Sequence, residues 1–264
     1  MSRKRVLKTK ITHSSSRQDD VYELSQALVH NYKAWSEGPQ HRKTWSKHDI
    51  RSLQPLTIAQ EDLFHAFFSG SHIVGYGSAG TGKSTIALWL ALNDILDKTC
   101  VQEKIIIVRS NVATRDVGFL PGTASEKLSV YERPYFDIFE FLVGKCSTYE
   151  DMKVAGLIEF MPTSFVRGQT WDKSFVIIDE AQSMNWHELN SVITRLGTDS
   201  RLIVLGDIKQ NDLVYKRSDI SGFVDALKVF EQMPLISMVK FTHDDIVRSE
   251  FVKQWIIACE SLNL

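Results

Sequence analysis

Eight residues, Gly77-Ser78-Ala79-Gly80-Thr81-Gly82-Lys83-Ser84, have the spacing G-x-x-x-x-G-K-S and stand between an apolar run, His72–Tyr76, and a stretch of helical periodicity, Thr85–Leu96. A chain with this sequence must end a strand, turn tightly on glycines and start a helix at once, which is the βα step of a parallel sheet. The glycines let backbone N–H groups turn inward around an anion, and the helix N-terminus adds its positive dipole. The ligand this expects is a nucleotide phosphate chain. Lys83 would reach the β- and γ-phosphates, the Ser84 hydroxyl would hold Mg²⁺, and Thr85 follows in the first helical turn.

The rest of the chain agrees with that step. From about residue 55, short runs rich in Ile, Val and Phe alternate with longer amphipathic stretches. The expected strands are 72–76, 105–109, 174–178, 201–205 and 236–241. Helices are expected near 59–68, 84–97, 125–142, 186–196, 219–230 and 246–260, giving a mostly parallel sheet covered by helices. With 264 residues, 43% of them apolar, the chain can bury a real core. Its apolar runs fall far short of the roughly 18–20 residues of a membrane span, and the basic N-terminus is not followed by a signal-type apolar stretch, so a cytoplasmic location without membrane partners is expected. Cys100, Cys146 and Cys259 are scattered and read as reduced thiols.

A phosphate loop needs a carboxylate partner for the metal at the end of a neighbouring strand. Phe175-Val176-Ile177-Ile178 followed by Asp179-Glu180 supplies one. Asp179 is expected to hold Mg²⁺, directly or through water, and Glu180 to polarise the attacking water. A third run, Arg201–Leu205, ends in Gly206-Asp207, and Gln210 beyond it is placed to sense the γ-phosphate.

Charge is unevenly distributed. Residues 1–50 hold ten Lys and Arg against five Asp and Glu, and Arg3, Lys4, Arg5, Lys8 and Lys10 have no acid among them. Residues 1–54 therefore read as a basic arm ahead of a domain at 55–264. Such an arm serves either as a phosphate-backbone contact or as a solvated tail. Trp35 and Trp45 serve either to stack on bases or, in preference, to pack the segment onto its domain. In the core, Arg109, Arg115 and Lys127, around the Gly118–Gly122 loop, serve either as contacts to nucleic acid or in simple surface or interface roles, and Arg167 is a further candidate contact.

Asp179-Glu-Ala-Gln182 followed by Gly206-Asp-x-x-Gln210 resembles motifs II and III of superfamily 1 helicases. A wider set, Arg109, Gly118-Phe-Leu-Pro-Gly122, Lys127, Tyr131-x-Arg-Pro134, Arg167-Gly168, Thr194-Arg-Leu-Gly197, Gly206-Asp-Ile-x-Gln-x-Asp-Leu213 and Asp245-Ile-Val-Arg248, resembles the PhoH-like ATPases over roughly residues 55–260. The resemblance implies a RecA-like domain that binds ATP and Mg²⁺ and is associated with RNA metabolism. It implies that Gln60 reads the adenine edge, although the chain departs from the family pattern in the residue before Gln60, at Ser110 and in Arg167-Gly-Gln-Thr170. No part of the sequence fits the PIN-type nuclease that some members carry, and the compact form resembles versions encoded by bacteriophages. Single-stranded nucleic acid, RNA in preference to DNA, is the implied partner. Two readings stay open: an ATPase coupled to nucleic acid, or a nucleotide-gated binding protein with slow turnover and no unwinding. Glu180 and Gln210 disfavour a small-molecule kinase. Because no arginine is expected to adjoin the phosphate loop, Arg248 or Arg195 is expected to act from a neighbouring copy in a homo-oligomeric ring, by analogy a hexamer.

Overall fold

The computed structural model describes residues 45–97, 101–110, 124–145, 147–208 and 221–262, with backbone only for 124–128. Its strands are β1 (His72–Gly77), β2 (Lys104–Arg109), β3 (Ile158–Pro162), β4 (Ser174–Ile178), β5 (Arg201–Gly206) and β6 (Ile236–Phe241). The α-helices are α1 (Ile58–Phe68), α2 (Lys83–Ile95), α3 (Ala124–Val143), α4 (Thr148–Val154), α5 (Trp186–Ile193), α6 (Phe223–Phe230) and α7 (Glu250–Ser261). The strands form one sheet in the order β3-β2-β4-β5-β1-β6, and every pair is parallel. This is the RecA-like α/β arrangement expected. The strand of the phosphate loop is separated from the strand of Asp179 by β5 alone.

Alternation within each strand divides the interior in two. Ile105, Ile107, Phe175, Ile177, Ile203 and Leu205 face a core with α1 to α4, whereas Ile106, Val108, Val176, Ile178, Leu202 and Val204 face a core with α5 and α6. Burial on both faces explains why these strands read as unbroken apolar runs instead of polar–apolar alternation. Since all strands run the same way, Gly77, Arg109, Pro162, Ile178, Gly206 and Phe241 end at one edge, where ligands of open parallel sheets bind.

Two elements have no counterpart among those expected, α4 and β3. The edge strand β3 is only five residues long, ends on Pro162, and carries Glu159, which pairs with Lys104 at 2.9 Å. Helix α7 starts later than expected, because the Ser249 side chain caps it by accepting from Val252 N–H, and residues 246–249 form a connection. Helix α5 ends at Ile193, so Thr194–Gly197 is a turn. Residues 45–54, assigned by charge to the arm, dock on the domain: Trp45, Ile50 and Leu53 pack on the first core, and Trp89 Nε1 donates to Arg51 O at 2.7 Å. Trp45 thus has the packing role favoured for it; the rest of the arm, with Trp35, lies outside the described residues. Among the described residues, no helix is long and apolar enough to cross a membrane.

Candidate functional site at the carboxyl edge of the sheet

The phosphate loop is pinned between β6 and α2. Ser78 N–H donates to Phe241 O at 3.2 Å, and at Gly77, with φ +123°, a Cβ would lie 2.0 Å from that same oxygen, so no other residue fits there. Lys83 opens α2, and its ammonium donates to Gly77 O at 2.9 Å and Ser78 O at 2.7 Å, inside the curve of its own loop. Burial lowers its pKa, while Asp207, Glu180 and Asp179 act to raise it. Thr81 is fully buried and donates to Ser78 O at 3.2 Å; Ala79 and Thr85 are partly buried on either side. The Gln60 amide donates to Thr81 O at 2.9 Å and accepts from Leu56 N–H at 2.7 Å. In this state it braces the phosphate loop, and any contact with adenine would use its remaining hydrogen-bonding capacity.

The end of β4 supplies the two acids. Asp179 is buried; its Oδ1 accepts from the Ser84 hydroxyl at 2.7 Å and its Oδ2 from the Tyr135 hydroxyl of α3 at 2.9 Å. A hydroxyl and a carboxylate converging beside a phosphate loop are hard oxygen donors that fit Mg²⁺. Glu180 adopts φ +54°, a left-handed conformation uncommon for a residue with a side chain and concentrated at functional sites. Burial and then the neighbouring Asp179 push its pKa up, opposed by a hydrogen bond from Gln182 and by the charges of Arg109 and Lys83. Gln182 also accepts from Asp207 N–H at 3.0 Å, so one amide links the ends of β4 and β5.

The arginines separate. Arg248 lies against its own phosphate loop: a Cβ at Gly80 would be 2.9 Å from Arg248 Cγ, and the adjacent Val247 N–H donates to Gly80 O at 3.0 Å. The expectation that no arginine adjoins the loop is thereby corrected, since the chain returns to it after β6. Arg195 follows α5, and its carbonyl accepts from Trp171 N–H ahead of β4, which puts it at the opposite, amino-terminal edge of the sheet and away from its own phosphate loop. Arg109, expected to contact nucleic acid, ends β2 with its charge acting on Glu180 and Tyr135. Arg167 is exposed on the segment between β3 and β4. Arg115, Gln210 and the Gly118–Gly122 stretch lie outside the described residues, as does the side chain of Lys127 on α3.

Lys83, Ser84, Asp179 and Glu180 are therefore brought together as expected. Tyr135, Gln182 and Asp207 join them without a role read from the sequence. Gln182 and Asp207 stood inside quoted motifs, and Tyr135 directly follows Tyr131-x-Arg-Pro134, the one signal that could have drawn attention to it.

The chain is similar to known proteins over most of its length. The family model described as PhoH-like protein matches residues 52–260. A PhoH-like protein of Bacillus subtilis (strain 168) is 34% identical over 214 residues, covering 81% of this chain and 66% of the relative. Protein PhoH of Escherichia coli (strain K12) is 34% identical over 215 residues, covering 80% and 60%. The chain thus spans about 60–66% of the length of these two relatives. Among solved structures, the Pif1 helicase from Candida albicans matches with a TM-score of 0.42 and 19% identity over 80% of this chain and 44% of that one. A large terminase from a thermophilic bacteriophage, in complex with ADP, matches with a TM-score of 0.45 and 13% identity over 76% and 49%. On the family match over most of its length, with the phosphate loop and paired acids in place, the chain belongs to the PhoH-like protein family.

Proposed function

We propose that the protein hydrolyses ATP in the presence of Mg²⁺ and couples turnover to single-stranded nucleic acid, RNA in preference to DNA. The observation that carries the hydrolysis is the convergence of Ser84 and Asp179 at 2.7 Å beside the phosphate loop, with Glu180 next in the chain and held in a left-handed conformation; the coupling to nucleic acid is what the family resemblance implies. Mg²⁺ bound by Ser84 and Asp179 would neutralise phosphate charge. Lys83 would exchange its loop carbonyls for phosphate oxygens. Glu180 would accept the proton of a water whose oxygen bonds to the γ-phosphorus as the bridging P–O bond breaks and ADP leaves. Arg248, beside Gly80, would add positive charge from the same chain.

In the same reading, Arg109, Arg115, Lys127, Arg167 and the basic residues Arg3, Lys4, Arg5, Lys8 and Lys10 contact the phosphate backbone, Gln210 senses the γ-phosphate, and Gln60 contributes to adenine recognition. The protein works in the cytoplasm as a homo-oligomeric ring, hexameric by analogy, in which Arg195 of a neighbouring copy completes the site. A nucleotide-gated binder with slow turnover is favoured by one observation: Lys83 is held on the carbonyls of its own loop. Steady-state ATPase assays with and without single-stranded RNA, single-stranded DNA and duplex test the proposal: Mg²⁺-dependent turnover, accelerated most by single-stranded RNA, is expected. Turnover indifferent to every nucleic acid would remove the coupling.

A further inference from the structure

Asp179 is held from two sides by different parts of the fold. Oδ1 accepts from Ser84, on the phosphate-loop helix α2, and Oδ2 accepts from Tyr135, on α3. Tyr135 is about as buried as a residue can be, at 1% exposure, and its ring lies 5.8 Å from that of Phe160 on β3, so its hydroxyl has little freedom to move independently of the core. An ionised carboxylate only accepts, so the hydroxyl is the donor in this contact. A carboxylate rotates about its Cβ–Cγ bond unless both oxygens are held. With Oδ2 fixed, Oδ1 is aimed at Ser84.

We propose that Tyr135 is a positioning residue for the metal site: its hydroxyl fixes Asp179 so that one oxygen faces Ser84, and metal affinity depends on that contact. The proposal rests on the Mg²⁺-nucleotide reading of the site. Tyr135 touches neither phosphate nor water in this role and acts only through Asp179. Groups that orient a metal ligand in this way typically change metal affinity by roughly 10–100-fold when removed. Helix α3 also carries Lys127, eight residues before Tyr135, so a candidate nucleic-acid contact and the metal ligand's partner share one helix.

The test uses the full chain and three variants, Tyr135→Phe, Tyr149→Phe and Ser84→Ala. Tyr149 is a second buried tyrosine of the same core, on α4, and serves as control for loss of a buried hydroxyl. Binding of a fluorescent ADP is measured first in EDTA, then as Mg²⁺ is titrated, with the Mg²⁺-induced rise in thermal midpoint as a second readout. Expected are unchanged metal-free binding for Tyr135→Phe, a rise of about tenfold or more in the half-saturating Mg²⁺ concentration, and a wild-type Mg²⁺ response for Tyr149→Phe. A Tyr135→Phe titration that superimposes on wild type overturns the positioning role, as does an equal shift in Tyr149→Phe. If wild type itself shows no Mg²⁺ dependence, or Ser84→Ala leaves it intact, the Mg²⁺ reading of Ser84 and Asp179 fails and the inference with it.

Discussion

The ionisation of Glu180 is set by neighbours that pull in opposite directions. Burial and Asp179 favour its protonated form, whereas Gln182, Arg109 and Lys83 favour the carboxylate. A general base works only when ionised, so the acid limb of kcat/KM, which reports the free enzyme, is expected above the range of an ordinary glutamate. Arg109→Gln removes a charge that favours ionisation and should move that limb to higher pH. Measurement of kcat/KM for ATP across pH 5–8 in wild type and Arg109→Gln checks this, and a limb that stays in place or moves to lower pH would remove Arg109 from the hydrolysis site. At this scale the sequence was informative where chemistry is local. Lys83 and Ser84 are fixed by the spacing of one loop, and Asp179 with Glu180 by a strand end. Tyr135 was not legible, because its partner lies 44 residues away and only the packing of α3 on the sheet brings them together.

Among the elements, long buried strands and the helix after the phosphate loop were legible because their apolar runs have no polar competitor. Strand β3 was not, since it is an edge strand with Glu159 within it and proline at its end. The start of α7 was misplaced for a related reason: Ile246 and Val247 look like helix residues, yet Val247 N–H is bound to Gly80 O and the Ser249 cap starts the helix later. That connection is what delivers Arg248 to its own phosphate loop, whereas the turn after α5 leaves Arg195 at the opposite edge. Subunit mixing separates the two. Lys83→Ala combined with Arg195→Ala should recover partial ATPase activity, because some sites then receive both groups from different copies, and a trans arginine is worth roughly 10³–10⁵ in rate. Lys83→Ala combined with Arg248→Ala should recover none. Recovery with Arg248→Ala, or none with Arg195→Ala despite demonstrated exchange, would reverse the assignment.

For the whole molecule, the all-parallel order β3-β2-β4-β5-β1-β6 brings every strand end to one edge, so residues far apart in sequence meet around a single phosphate loop. The architecture followed from the alternation of apolar runs and helical stretches, and the packing of Trp45 followed from its residue type; charge counting left Ile50 and Leu53 with the arm, although they too pack on the core. The most direct measurement is the fate of ATP on Glu180→Gln. The amide keeps the shape of the side chain but cannot take the proton of the attacking water, and such a loss costs roughly 10²–10⁴ in rate. After incubation with Mg²⁺-ATP and rapid removal of free nucleotide, Glu180→Gln is expected to retain intact ATP, wild type to hold ADP, and Lys83→Ala to hold little of either. ADP and phosphate appearing on Glu180→Gln at the wild-type rate would contradict the assignment of Glu180 as the catalytic carboxylate.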